Sequence, residues 1–131
     1  MLTIYHLKTD DLEVNLAFDI AGGPNDCRPQ VAAALFDEGH YEAVATCDIP
    51  PTNAGLEAAY VMTQNGPLTE SWSRKPPIGL TVLEPSVIID CGKVWGRRST
   101  MIGDIVEGGG KRFVVDWRGF KPMPLPAKEV A

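Results

Sequence analysis

The chain has 131 residues, 44% hydrophobic and 22% charged, and a net charge of −5. It is long enough for one ordinary domain that buries a core without metal or disulfide staples, and no apolar run approaches the roughly 20 residues that span a bilayer. Cys27, Cys47 and Cys91 are odd in number and far apart, which fits neither a disulfide framework nor a Cys-x-x-Cys zinc site.

Met1 to Leu7 lacks the basic start and apolar middle of a secretory signal, so a cytoplasmic protein with reduced thiols is expected. The charge is unevenly divided. Residues 1–92 carry 13 acidic and 4 basic side chains, and residues 93–131 carry 4 acidic and 8 basic. The two parts either neutralise each other in the folded domain, or leave the basic end for an acidic partner.

Leu2 to Leu7 alternates as an opening strand, and Thr9-Asp10-Asp11 supplies turn residues. Leu12, Val14, Leu16, Phe18 and Ile20 then recur at every second position, the period of a half-buried strand returning as a hairpin. The rival for 12–20 is a helix capped by Asp10. After a loop at 22–26, Pro29 opens a helix from about Gln30 to Glu38, closed by Gly39. Tyr41 to Asp48 reads as a strand with Tyr41, Ala43, Ala45 and Cys47 on one face and Val44 and Thr46 on the other, ended by Ile49-Pro50-Pro51.

The strongest helix signal is Ala54 to Gln64, capped by Thr52 or Asn53 and stopped by Asn65-Gly66-Pro67, with Leu56, Ala59, Tyr60 and Thr63 in one stripe. Residues 65–77 form an irregular connection in which Trp72 either anchors the loop on the core or presents an aromatic at an interface. Strands are expected over Ile78–Leu83 and Ser86–Asp90, then a turn from Cys91 to Gly96 carrying Trp95. Gly103-Asp104 introduces a strand over 105–107, Gly108 to Gly110 permits a tight hairpin, and Lys111 to Trp117 returns. A last short strand around Phe120 precedes the tail Pro122-Met123-Pro124-Leu125-Pro126, whose prolines keep it out of a ladder.

The fold expected from these elements is α+β: one domain over 1–121, mostly antiparallel sheet with two short helices packed on one face, and a Pro-rich tail over 122–131.

Catalytic signals are sparse. His6 and His40 are the only histidines, and neither lies in a pattern that pairs it with Cys27, Cys47, Cys91 or Ser99 as base and nucleophile. No histidine or carboxylate pair has the helical spacing of a metal site, and the three glycines lack the Lys-Ser/Thr and helix of a phosphate loop. No catalytic residue, metal or cofactor is therefore expected. Nucleic-acid binding has a basis in Lys93, Arg97, Arg98, Lys111, Arg112, Arg118 and Lys121 interleaved with Trp95, Phe113, Trp117 and Phe120. DNA mimicry by residues 1–92 is excluded, because their carboxylates are too sparse and interrupted.

Ala59-Tyr60-Val61-Met62-Thr63-Gln64-Asn65, Trp72, Arg98-Ser99-Thr100-Met101-Ile102-Gly103-Asp104-Ile105-Val106 and Gly119-Phe120 together resemble a family of small proteins of phages, plasmids and integrative elements of bacteria, akin to the YodL-like accessory domains. The resemblance implies an accessory role in a mobile element within a bacterial host cell, with host defence such as restriction or CRISPR systems as the expected target. It implies no catalytic residues. The leading expectation is a non-enzymatic binder that blocks a host protein through Arg97, Arg98, Ser99, Thr100, Trp72, Lys111, Arg112 and Arg118. The alternatives are a nucleic-acid-binding module using the basic C-terminal hairpin, and a small enzyme with a site built from dispersed residues.

Overall fold

The computed structural model describes residues 1–8, 28–65, 71–84, 88–90, 93–116 and 119–124, with the backbone alone at 88–90 and 93–95. The expected elements over 12–20 and 22–26, together with Cys27, Cys91, Trp117, Arg118 and the tail from 125, lie outside the described residues. The described elements are β1 (Leu2–Leu7), α1 (Pro29–Asp37), β2 (Tyr41–Cys47), α2 (Asn53–Met62), β3 (Leu80–Val82), β4 (Ile88–Asp90), β5 (Lys93–Trp95), β6 (Ile105–Gly108), β7 (Lys111–Asp116) and β8 (Gly119–Pro122).

Six strands form one sheet in the order β3-β2-β1-β6-β7-β8, every neighbouring pair antiparallel. The α+β class and the single small antiparallel domain are thus as the sequence predicts. Local chemistry sets the boundaries. Pro29 occupies the first turn of α1, and Gly39 follows the helix at φ +84°, a conformation that costs glycine little. Thr52 caps α2 by accepting the Gly55 N–H at 3.1 Å. Gly109 and Gly110 turn β6 into β7 at φ +61° and +76°.

The helices do not share a face, which corrects the expected one-sided packing. Ile4 stands opposite Val106, and Tyr5 opposite Ile105. Successive strand residues point to opposite faces, so these pairs mark the two sides. Leu56 and Ala59 of α2 pack with Leu2, Ile4, Val44, Val106, Val115 and Trp72 on the first side. Ala32 and Leu35 of α1 pack with Leu7, Tyr41, Ile105, Val114 and Met123 on the second. A sheet this apolar on both faces needs a cover on each, and a helix supplies it.

The alternation expected along β2 also fails midway. The register to β1 shifts between Ile4 and Tyr5, so Val44 is an extra residue: Ile4 opposes Ala45 while Tyr5 opposes Ala43. Beyond this bulge Val44, Ala45 and Cys47 all enter the α2 side, whereas Tyr41 joins the α1 side.

Three smaller corrections follow. Lys93–Trp95, read as a turn, is a strand paired with Ile88–Asp90 in a separate two-stranded ladder. Ile78 precedes β3 in a fully exposed turn rather than in the strand. Pro122 and Met123 belong to the domain: Pro122 pairs with Phe113, the Met123 N–H bonds Arg112 O at 2.9 Å, and the Met123 side chain is buried. Pro122 is tolerated because β8 is the last strand of the sheet and needs no donor on its outer side. No helix among the described residues is long and apolar enough to cross a membrane.

Candidate functional site

Between β5 and β6 the chain crosses the α2 side of the sheet through residues 96–104 and carries four of the residues singled out in the sequence. Arg98 is turned inward. Its Nη1 and Nη2 donate to Asp104 Oδ2 and Oδ1 at 2.6 and 2.8 Å, and Nη2 also donates to Leu7 O at 3.0 Å. Asp104 is fully buried and accepts the Leu7 and Met101 N–H groups at 2.9 and 2.8 Å as well. Four donors on two oxygens compensate the removal of this carboxylate from water.

Arg97 is also paired, its Nη2 forming an ion pair with Glu42 Oε1, and its side chain is 10% exposed. Glu42 reaches it because the β1–β2 register sets Glu42 opposite His6, on the α2 side. Ser99 Oγ accepts the Asn65 N–H at 2.8 Å, Asn65 Nδ2 donates to Arg97 O at 2.8 Å, and Gln64 Nε2 donates to Thr100 O at 2.8 Å. The end of α2 therefore sews this segment down. Trp72 is wholly buried in the same corner, its indole N–H donating to Arg98 O at 2.8 Å. Of its two readings the loop anchor holds.

Arg97, Arg98, Thr100 and Trp72 are consequently brought together, but as the inside of a corner and not as a partner-facing rim. That corrects their assignment as contact residues. The physical reason is charge pairing within the chain: Glu42 and Asp104 draw the two guanidinium groups inward, and most of their solvent exposure is lost.

A residue that sequence reasoning passed over lies at the centre. His6 is fully buried, its Nε2 2.9 Å from Thr100 Oγ1 and 3.9 Å from Asp104 Oδ2, with its ring edge-on to Trp72 at 5.8 Å. Burial pushes its pKa down to about 4; Asp104 opposes this, while Arg98 and Arg97 add to it. A hydroxyl, an imidazole and a carboxylate within 4 Å suggest a nucleophile with its base, yet the geometry is wrong for one. The carboxylate approaches the same nitrogen as the hydroxyl instead of orienting the ring from Nδ1, and both Thr100 and His6 are sealed from solvent. Cys47 is likewise buried, and burial raises its thiol to about 11, far from a reactive thiolate. Among the described residues no group of three His, Cys, Asp or Glu is placed to hold a metal.

The basic hairpin is largely neutralised. Arg112 Nε donates to Glu107 Oε2 at 2.6 Å and its guanidinium lies 4.2 Å from the centre of the Phe36 ring, while Lys121 Nζ is 3.6 Å from Asp116. Lys111 is exposed beside the turn glycines, and Arg118 lies outside the described residues. Phe113 and Phe120 pack against the core instead of lining a stacking platform.

An open surface does exist between α2 and the last two strands. Tyr60, Val61, Val115 and Phe120 line a groove of about 310 Å³ bordered by Glu57 and Asp116. Val61 is 56% exposed at its edge. Val61 carries no functional signal in the sequence, because an apolar helix residue reads as core, and Phe120 is singled out there as a stacking aromatic and not as the wall of a groove. No protein-family model, curated protein or solved structure matches the chain.

Proposed function

We propose that the chain is a non-enzymatic binding domain, an accessory protein of a mobile element that occupies a surface of a host protein, with a defence complex such as a restriction or CRISPR system as its target. The contact surface in this reading is the groove of α2 and β7–β8, in place of the Arg97–Arg98 corner. One observation carries it: His6, Thr100 and Cys47 are buried and committed to the fold, whereas Val61, Tyr60 and Phe120 offer apolar surface beside an exposed Glu57. A partly apolar groove with a carboxylate at its rim suits an apolar side chain flanked by a base on the partner. The mobile-element and anti-defence parts rest on the resemblance across residues 59–120.

Affinity capture from bacterial lysate tests this reading. The wild-type chain and Lys111→Glu are expected to retain the same host protein, and Val61→Glu, which leaves the buried core untouched, to lose it. Capture unaffected by Val61→Glu would move the contact elsewhere. Retention of generic DNA or RNA that falls steeply between low and moderate salt would support a nucleic-acid module instead.

A further inference from the structure

The hydroxyl chain beside His6 has a direction. Thr63 Oγ1 donates to the carbonyls of Ala59 and Tyr60 at 2.9 and 3.2 Å, and carbonyls cannot donate back. Thr100 Oγ1 must then donate to Thr63 Oγ1 at 2.7 Å, which leaves it to accept from His6 Nε2 at 2.9 Å. His6 is thereby fixed as the Nε2–H tautomer. Its Nδ1 is the atom left to take a proton, and it is buried with no hydrogen-bond partner.

The groups facing His6 leave no room for a further positive charge. Glu42 on β2 is held by Arg97, Asp104 before β6 is held by Arg98, α2 presents the neutral Thr63, and the neighbouring loop presents the edge of Trp72. Two cations and two anions already balance. An imidazolium there meets one carboxylate, Asp104 at 3.9 Å from Nε2, which Arg98 already occupies, and its new N–H at Nδ1 has no acceptor.

We propose that His6 is an acid-operated latch: uptake of one proton at Nδ1 releases residues 96–100, with Arg97 and Arg98, from the end of α2 and from Trp72, while Gly103 and Asp104 stay bonded to Val115 and the six-stranded sheet stays paired. The latch is local because residues 96–100 belong to no ladder, whereas β1 keeps its registers with β2 and β6. The bonds that fasten residues 97–100 to α2 and the neighbouring loop run from Thr63, Gln64, Asn65, Trp72 and Ser73, and Arg97 and Arg98 add bonds to Glu42 on β2 and to Leu7 O on β1. Burial and the two guanidinium groups outweigh Asp104 in holding the imidazole down to about 4, so the latch stays shut at neutral pH. It does not depend on the binding reading above.

The test uses the full chain carrying Trp95→Phe and Trp117→Phe, so that Trp72 alone reports. Emission and far-UV circular dichroism are followed from pH 7 to pH 3. A red shift with a midpoint at about pH 4–5 is expected, before any loss of the strand signal. His6→Gln, whose side-chain amide donates to Thr100 without titrating, is expected to move that midpoint down by at least about one pH unit. A red shift that coincides with sheet loss, or an unchanged midpoint in His6→Gln, overturns the latch. Should His6→Gln fail to fold, imidazole nitrogen shifts of the wild type decide. An Nε2–H tautomer that titrates together with the emission step supports the proposal; an Nδ1–H tautomer, or titration apart from that step, overturns it.

Discussion

Replacing Asp104 by asparagine should cost the domain about 3 kcal/mol, the low end of the range for breaking a buried ion pair. The carboxylate accepts the Met101 N–H and Arg98 Nη1 at Oδ2, and the Leu7 N–H and Arg98 Nη2 at Oδ1. Asparagine keeps one acceptor oxygen and sets an NH₂ against the donors on the other side. One backbone amide loses its acceptor, about 1–3 kcal/mol, and Arg98 loses its counter-ion. Because the Arg98 side chain is 27% exposed, water recovers part of that charge, which places the total near 3 and not 5. Urea unfolding at pH 7 followed by far-UV circular dichroism would show a lower midpoint at unchanged m-value. Arg98→Met removes the charge but keeps the stem, so the double variant should lose less than the two singles added, with a coupling of about 1 kcal/mol or more. A change within about 0.5 kcal/mol for Asp104→Asn, the scale of an ordinary surface substitution, or strict additivity, would refute the pairing as the fastening of this corner.

Further outcomes can be stated from the same contacts. The folded His6 pKa of about 4 lies below the ordinary 6.5, so the unfolded chain binds more protons between those values. Its contribution is intact above pH 6.5 and is lost as the pH falls towards 4, on the order of 2 kcal/mol by pH 5; urea unfolding of wild type against His6→Gln at pH 7 and pH 5 reads the difference directly. Trp72→Ala should cost about 3–5 kcal/mol, and Trp72→Phe about 1–2 kcal/mol for the orphaned Arg98 carbonyl and reduced contact, both measured by denaturant midpoint. Gly55→Ala should destabilise by at least about 1–3 kcal/mol although alanine favours helix, because its Cβ would sit 2.0 Å from Pro50 O; a gain in thermal midpoint would contradict that close approach.

The parts of the fold that were legible in the sequence are those with local causes. Pro29 with Gly39, Thr52 ahead of its helix, and Gly109-Gly110 between two β-prone runs announce their elements through backbone chemistry within a few residues. The illegible parts have distant causes. A bulge at Val44 is invisible in a run where each neighbour is apolar, so the faces of β2 were misassigned beyond it. Which side each helix covers depends on the sheet, not on the helix. Arg97 reads as a free cation because its carboxylate lies 55 residues earlier, and His6 as an ordinary strand residue because Thr100 lies 94 residues later. The one nearby hint was Asp104, six residues after Arg98 in a Gly-Asp turn: an acid so near two arginines favours an internal pair over an open basic patch.

The place of β1 in the sheet governs the order in which the protein can assemble. It lies in the middle, next to β2 on one flank and β6 on the other, with Thr3 opposite both Thr46 and Glu107. This strand leaves the ribosome before either neighbour, and β6 follows about a hundred residues later, so an apolar ribbon waits half-paired over that interval. Long-range closure of that kind slows folding, and it makes the nascent chain a natural client for chaperones until the last hairpin arrives.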